Sequence, residues 1–140
     1  MAERGEIYNP TLANQIRSFK GLRYGKITPT DIDAFMEFGN KAFVIIEGKG
    51  KNAPLPYGQN LALERLCDAI QDKDRAHYSL LIVCEHVLKD DGVIDVGNST
   101  VLKYRYEKKW HLKNWTVTQC VNDFLENHGI NYEKHDSKNI

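Results

Sequence analysis

Apolar and polar positions along the chain fall into segments with two different periods. Leu12, Ile16 and Phe19 recur at helical spacing behind Asn9-Pro10, an N-cap followed by a first-turn proline, and Gly21 follows as a stop. This predicts a helix over 10–20. Residues 22–27 then read as a short strand. Residues 32–38 alternate, with Asp31, Asp33, Phe35 and Glu37 on one side and Ile32, Ala34, Met36 and Phe38 on the other. Gly39-Asn40 suits a tight hairpin turn, and the return strand, 42–49, holds Phe43-Val44-Ile45-Ile46, apolar on both faces as in a central strand. A Gly- and Pro-bearing loop leads to a helix over 58–71, whose stripe is Gln59, Leu63, Leu66 and Ile70. A glutamine in such a stripe needs a partner or the edge of a cavity.

Residues 77–85 are a buried strand. Because it follows a helix, it is expected to pair parallel to an earlier strand. Residues 93–96 and 100–106 read as a further hairpin turned at Gly97-Asn98-Ser99, with Lys103 and Arg105 alternating with Tyr104 and Tyr106. Thr116 and Gln119 form a capping box for a helix carrying Val117, Cys120, Val121 and Phe124, and Gly129 ends it. The predicted order is helix, three strands, helix, strand, then a hairpin and a helix. That is one α/β domain over 1–129 with a polar tail over 130–140.

Composition narrows the classes. The chain of 140 residues is long enough for one core, and its 19 basic and 19 acidic residues balance. Balance argues against a DNA-coating protein but not against a nuclease whose acidic site offsets basic flanks. The basic groups Arg17, Lys20, Arg23, Lys26 and Lys103, Arg105, Lys108, Lys109, Lys113 suit either a solvated face or phosphate contact. Cys67, Cys84 and Cys120, odd in number and each in an apolar pattern, read as buried free thiols. The start of the chain lacks an apolar leader and no apolar run could span a membrane, so a cytoplasmic protein is expected.

The chemistry collects around the first hairpin. Asp33 begins one strand and Glu47 ends its partner, so two carboxylates on neighbouring strands can share a hard divalent ion such as Mg²⁺. Lys49, two residues beyond Glu47, points the same way and can hold a water or the phosphate whose charge grows in the transition state. The ordinary alternative is an exposed, salt-bridged sheet edge. Weaker candidates are Glu37, Glu64-Arg65 (read as an exposed charged pair), His86 (a structural histidine, a second base or a phosphate contact), and Trp110 with His111 beside the basic run.

Pro29-Thr-Asp31-Ile-Asp33 followed by Glu47-Gly-Lys49 resembles the signature of the PD-(D/E)XK nuclease superfamily, and the element order over about 10–86 is similar to its restriction-endonuclease-like core. Asp33 lies 14 positions before Glu47, a usual separation in that superfamily. Residues 56–65, with Gln59, resemble the glutamine helix of RecB-like members, and residues 31–66 resemble small phage- or prophage-encoded ones. The resemblance implies Asp33 and Glu47 as magnesium ligands with the Gly48 carbonyl as an additional one, Lys49 as the catalytic lysine and Gln59 as its helper. It also implies Mn²⁺ as a substitute for Mg²⁺, DNA as partner and substrate, and a possible homodimer. The superfamily's Pro-Asp pair is interrupted by Thr30, so Asp31 competes with Asp33 for the ligand role, and spacing favours Asp33. Two rivals stand beside this reading: a nucleic-acid-binding module without activity, and a phage-encoded protein-interaction factor.

Overall fold

The turn at Gly39-Asn40 sets the first hairpin. Both residues sit in the left-handed region, with φ of 55° and 61°, and Lys41 N–H donates to Phe38 O at 2.9 Å. Two consecutive left-handed residues give a turn whose twist matches the flanking strands. The strands it joins are β1 (Ala34–Phe38) and β2 (Ala42–Lys49). The computed structural model describes residues 18–54 and 57–131. Residues 10–17 of the first predicted helix and 132–140 of the predicted tail lie outside them. Residues 30–130 form one compact unit.

A five-stranded sheet and two helices make this unit a mixed α/β structure. The sheet order is β1-β2-β3-β4-β5, with β3 at Tyr78–Glu85, β4 at Thr100–Tyr106 and β5 at Lys109–His111. Only the β2–β3 pairing is parallel, in the register Ala42↔Tyr78 through Lys49↔Glu85. Helix α1 (Tyr57–Ile70) makes the crossover between them, as expected. Its Leu63 and Cys67 pack on Ile45 and Leu81, with Ile70 and Trp110 at the margin. Ser79 ties the end of α1 to β3: its hydroxyl donates to Cys67 O at 2.6 Å, and its N–H donates to Gln71 Oε1 at 2.9 Å.

The opposite face of the sheet carries α2 (Val117–Asn127). Its Val117, Cys120, Val121, Phe124 and Leu125 pack against Val44, Ile46, Leu80 and Ile82. The capping box is present in both directions, Gln119 N–H to Thr116 Oγ1 at 3.2 Å and Thr116 N–H to Gln119 Oε1 at 2.9 Å. Gly129, with φ of 64°, ends the helix as predicted. All three cysteines are buried and free.

Several elements differ from expectation. In the segment of the first predicted helix that is described, Lys20–Leu22 is one 3₁₀ turn. Residues 22–27 are not a strand: Tyr24 and Ile27 exchange both backbone hydrogen bonds across Gly25-Lys26, with Gly25 at φ 64°, so the segment closes on itself. The predicted three-strand meander is therefore a two-strand hairpin among the described residues. Residues 93–96 do not form a hairpin with β4. Instead, Ile94 bridges Leu88, with main-chain bonds from Asp95 N–H to Val87 O and from Lys89 N–H to Val93 O; Asp91 Oδ1 accepts the Val93 N–H, and buried Ser99 accepts from Val87 N–H and donates to Asp95 O, so the segment closes on itself. Strand β4 pairs instead with β3 and, through the left-handed residues Glu107 and Lys108, with β5. In α1, Leu66 is exposed and Cys67 takes the buried position.

Candidate active site

Strands β2 and β3 run parallel and end together at Lys49 and Glu85, and the first turn of α1 reaches this end of β2 through Gln59. The crevice beyond the carboxyl ends of parallel strands is where open α/β sheets bind ligands. Glu47 is the last buried residue before this end of β2, with only 4% of its surface exposed. Its Oε1 accepts a hydrogen bond from Gln59 Nε2, and Oε2 has no protein partner. The glutamine in the α1 stripe has thus found its partner in a buried carboxyl. Burial first, and the nearby charge of Asp33 second, push the Glu47 carboxyl up to about 7; the nearby Asp33 main chain and the Gln59 hydrogen bond offset this only in part, and Asp31 adds a smaller repulsion.

Asp33 immediately precedes β1. The β1–β2 register pairs Ala34 with Ile46, so its continuation sets Asp33 opposite Glu47. The Asp33 carboxylate accepts the Gly48 N–H at 2.8 Å. This hydrogen bond takes the place of the ladder contact that β1, beginning only at Ala34, does not make. Asp31 is exposed and acts on Glu47 more weakly than Asp33 does. Lys49 shares the Glu47 side of β2 by alternation, and its ammonium lies 3.8 Å from Glu85 Oε2. Glu85 was not singled out in the sequence. The signal was available, since a parallel strand ending on an acid beside Glu-x-Lys must bring that acid to the lysine once the register is known.

Gly48 faces the other side of the sheet, where His86 lies against it. A Cβ built on Gly48 would overlap the Nε2 and Cδ2 atoms of that imidazole. The His86 main-chain N–H donates to Lys49 O at 2.9 Å.

The remaining candidates lie elsewhere. Glu37 pairs in register with Phe43, toward the far end of β1, and accepts the Asn40 N–H in the turn. Glu64 is not part of an exposed pair with Arg65. It accepts from Trp110 Nε1 at 3.1 Å and bonds Arg105 at 2.9 Å. Arg105 also holds Asp68 with two contacts of 2.7 Å, so this member of the basic run is neutralised inside the fold. Lys103 sits over the Trp110 ring at 4.0 Å, and His111 stacks on Tyr104.

Among the described residues, no group of three or more His, Cys, Asp or Glu side chains could hold a metal ion. The predicted set is smaller: two carboxylates and the Gly48 carbonyl. It fits a hard divalent cation on one specific ground, a buried carboxylate oxygen without a partner beside a second acid. Magnesium sites commonly use one or two carboxylates and complete their shell with water and phosphate. Comparisons of the chain with family models, curated proteins and solved structures give no match. No described helix is long and apolar enough to cross a membrane.

Proposed function

We propose that this protein is a divalent-metal-dependent nuclease that hydrolyses DNA phosphodiester bonds, on a variant of the restriction-endonuclease-like core. The observation that carries the reading is Glu47: a buried carboxyl at the end of a central strand, oriented by Gln59 through one oxygen and open at the other. Burying such a group without a cation is unfavourable, and a protein keeps it where an ion or substrate completes it.

A Mg²⁺ or Mn²⁺ ion held by Asp33, Glu47 and the Gly48 carbonyl would polarise a phosphoryl oxygen and make a water acidic enough to attack phosphorus. Gln59 fixes the Glu47 rotamer, leaving Oε2 directed away from its own hydrogen bond. Asp33 is steadied by the Gly48 amide and holds negative charge beside Glu47. Lys49 presents N–H donors on the same side of β2 and stabilises charge that develops on the phosphate. Its pairing with Glu85 limits how far the ammonium can wander. The same ion pair favours the second reading, a nucleic-acid-binding module in which Lys49 is purely structural.

Cleavage of supercoiled plasmid in Mg²⁺ or Mn²⁺ separates the two. The nuclease reading requires cutting by the wild type and a loss of about 10²-fold or more in kcat for Lys49→Ala. Plasmid left intact under all metal conditions would reject it.

A further inference from the structure

On the α2 side of the sheet, Gly48 and Asp33 border a cavity of about 240 Å³ that neither Glu47 nor Lys49 lines. Ile46, Cys84 and Val96 give it apolar walls, and Asp33 and His86 are its polar members. We propose that this cavity binds one nucleobase of the substrate strand, next to the phosphate that is cut; the assignment rests on the nuclease reading above.

Three observations carry it. The first is size. Pockets for drug-sized molecules run to roughly 300–1,000 Å³, so this smaller space suits a single flat ring system. The second is chemistry. Apolar walls with a hydrogen-bonding imidazole at one side match a base, which offers two π-faces and a polar edge. Gly48 makes this possible, because any side chain there would displace the imidazole. The third is position. Asp33 lines the cavity, and its carboxylate also bonds the amide that follows Glu47. Glu47 and Lys49 project to the α1 side of the sheet, while Ile46, Gly48 and Cys84 project to the α2 side. A strand lying across the ends of β2 and β3 therefore presents a phosphate to one face and lowers a base onto the other. Ile94 and Val96, on the loop pinned by Ser99, close the outer wall.

The test uses the full chain and end-labelled oligonucleotides, single-stranded and duplex, each also made with three consecutive abasic positions at its centre. Binding is read by fluorescence anisotropy in EDTA, and cleavage in Mn²⁺. Intact oligonucleotides should bind at least fivefold tighter than their abasic counterparts. Val96→Trp, which fills the cavity from its rim, should remove that preference and raise KM at least fivefold, and His86→Ala should reduce the preference. Thermal melting shows that each variant is folded, and His86→Ala, which only removes volume, serves if Val96→Trp is not. Cleavage with equal affinity for intact and abasic strands, or a preference that survives in both variants, overturns the cavity assignment and leaves the nuclease reading standing. If no oligonucleotide is bound or cut, the nuclease reading fails and this assignment falls with it.

Discussion

At the residue scale, Glu47 is the group whose state depends on everything around it. Its ordinary value is 4.5 and its value in the fold about 7. Between those two pH values the folded chain keeps a proton that the unfolded chain has released. Stability therefore falls as pH rises through this window, and the penalty is complete above pH 7. Glu47→Gln keeps the shape and the acceptor for Gln59 but removes the charge. Chemical denaturation from pH 4 to pH 8 should show the variant with a flatter profile and a gain on the order of 2 kcal/mol at pH 8, together with loss of cleavage. A variant profile parallel to the wild type would mean that Glu47 is not perturbed. Gly48 gives a second test. Gly48→Ala must displace the His86 ring, which is the movable end of a side chain, so the cost should be modest, about 1 kcal/mol. His86→Ala should suppress that cost, and the double-mutant cycle measures the coupling.

At the element scale, the two hairpins and the crossover show which local signals dominate. Gly39-Asn40 states its turn openly, because both residue types tolerate positive φ. Glu107-Lys108 adopts left-handed geometry without either signal, with φ of 52° and 63°, so β5 was not predicted. The α1–β4–β5 contact also explains why Arg105 belongs to the fold rather than to a nucleic-acid face: its guanidinium bonds Asp68 and Glu64 at once, only 12% exposed. Arg105→Ala takes the cation away from two partly buried acids, leaving Glu64 with the Trp110 N–H, and should cost about 2–3 kcal/mol by urea denaturation. Arg105→Lys should recover little, since an ammonium cannot make the planar, two-point contact with Asp68. An unchanged stability in both variants would return Arg105 to the candidate phosphate contacts.

At the scale of the whole molecule, the unit over 30–130 closes a core on each face of one sheet and leaves its charged chemistry at the ends of β2 and β3. A divalent ion bound there should stabilise the entire unit. Mn²⁺ at about 100 times its Kd adds roughly 2.7 kcal/mol, visible as a rise of several degrees in Tm. The rise should be larger at pH 8 than at pH 6, because the ion must displace the Glu47 proton at the lower pH. Glu47→Gln should abolish it. An equal rise in that variant would place the ion elsewhere.

The sequence by itself determined the parts of this protein written in neighbouring residues: the first hairpin, the buried runs of β2 and β3, the crossover helix, the capping box of α2 and its glycine stop. Periodicity, caps and turn chemistry act over a few positions, so they can be read without coordinates. It also marked Asp33, Glu47 and Lys49 as one group, because hairpin register and strand alternation constrain where they point; Gln59, on the crossover helix, joined them only through the family resemblance. Only the tertiary structure decided that Gln59 meets Glu47, that Glu85 faces Lys49, that His86 fills the space left by Gly48 and that Arg105 is neutralised by α1. Those relations depend on which strand lies beside which and in what register. The loop over 87–99 shows the same limit, since its strand-like run pairs back on residues 87–89 and is held by Asp91 and buried Ser99 instead of joining β4.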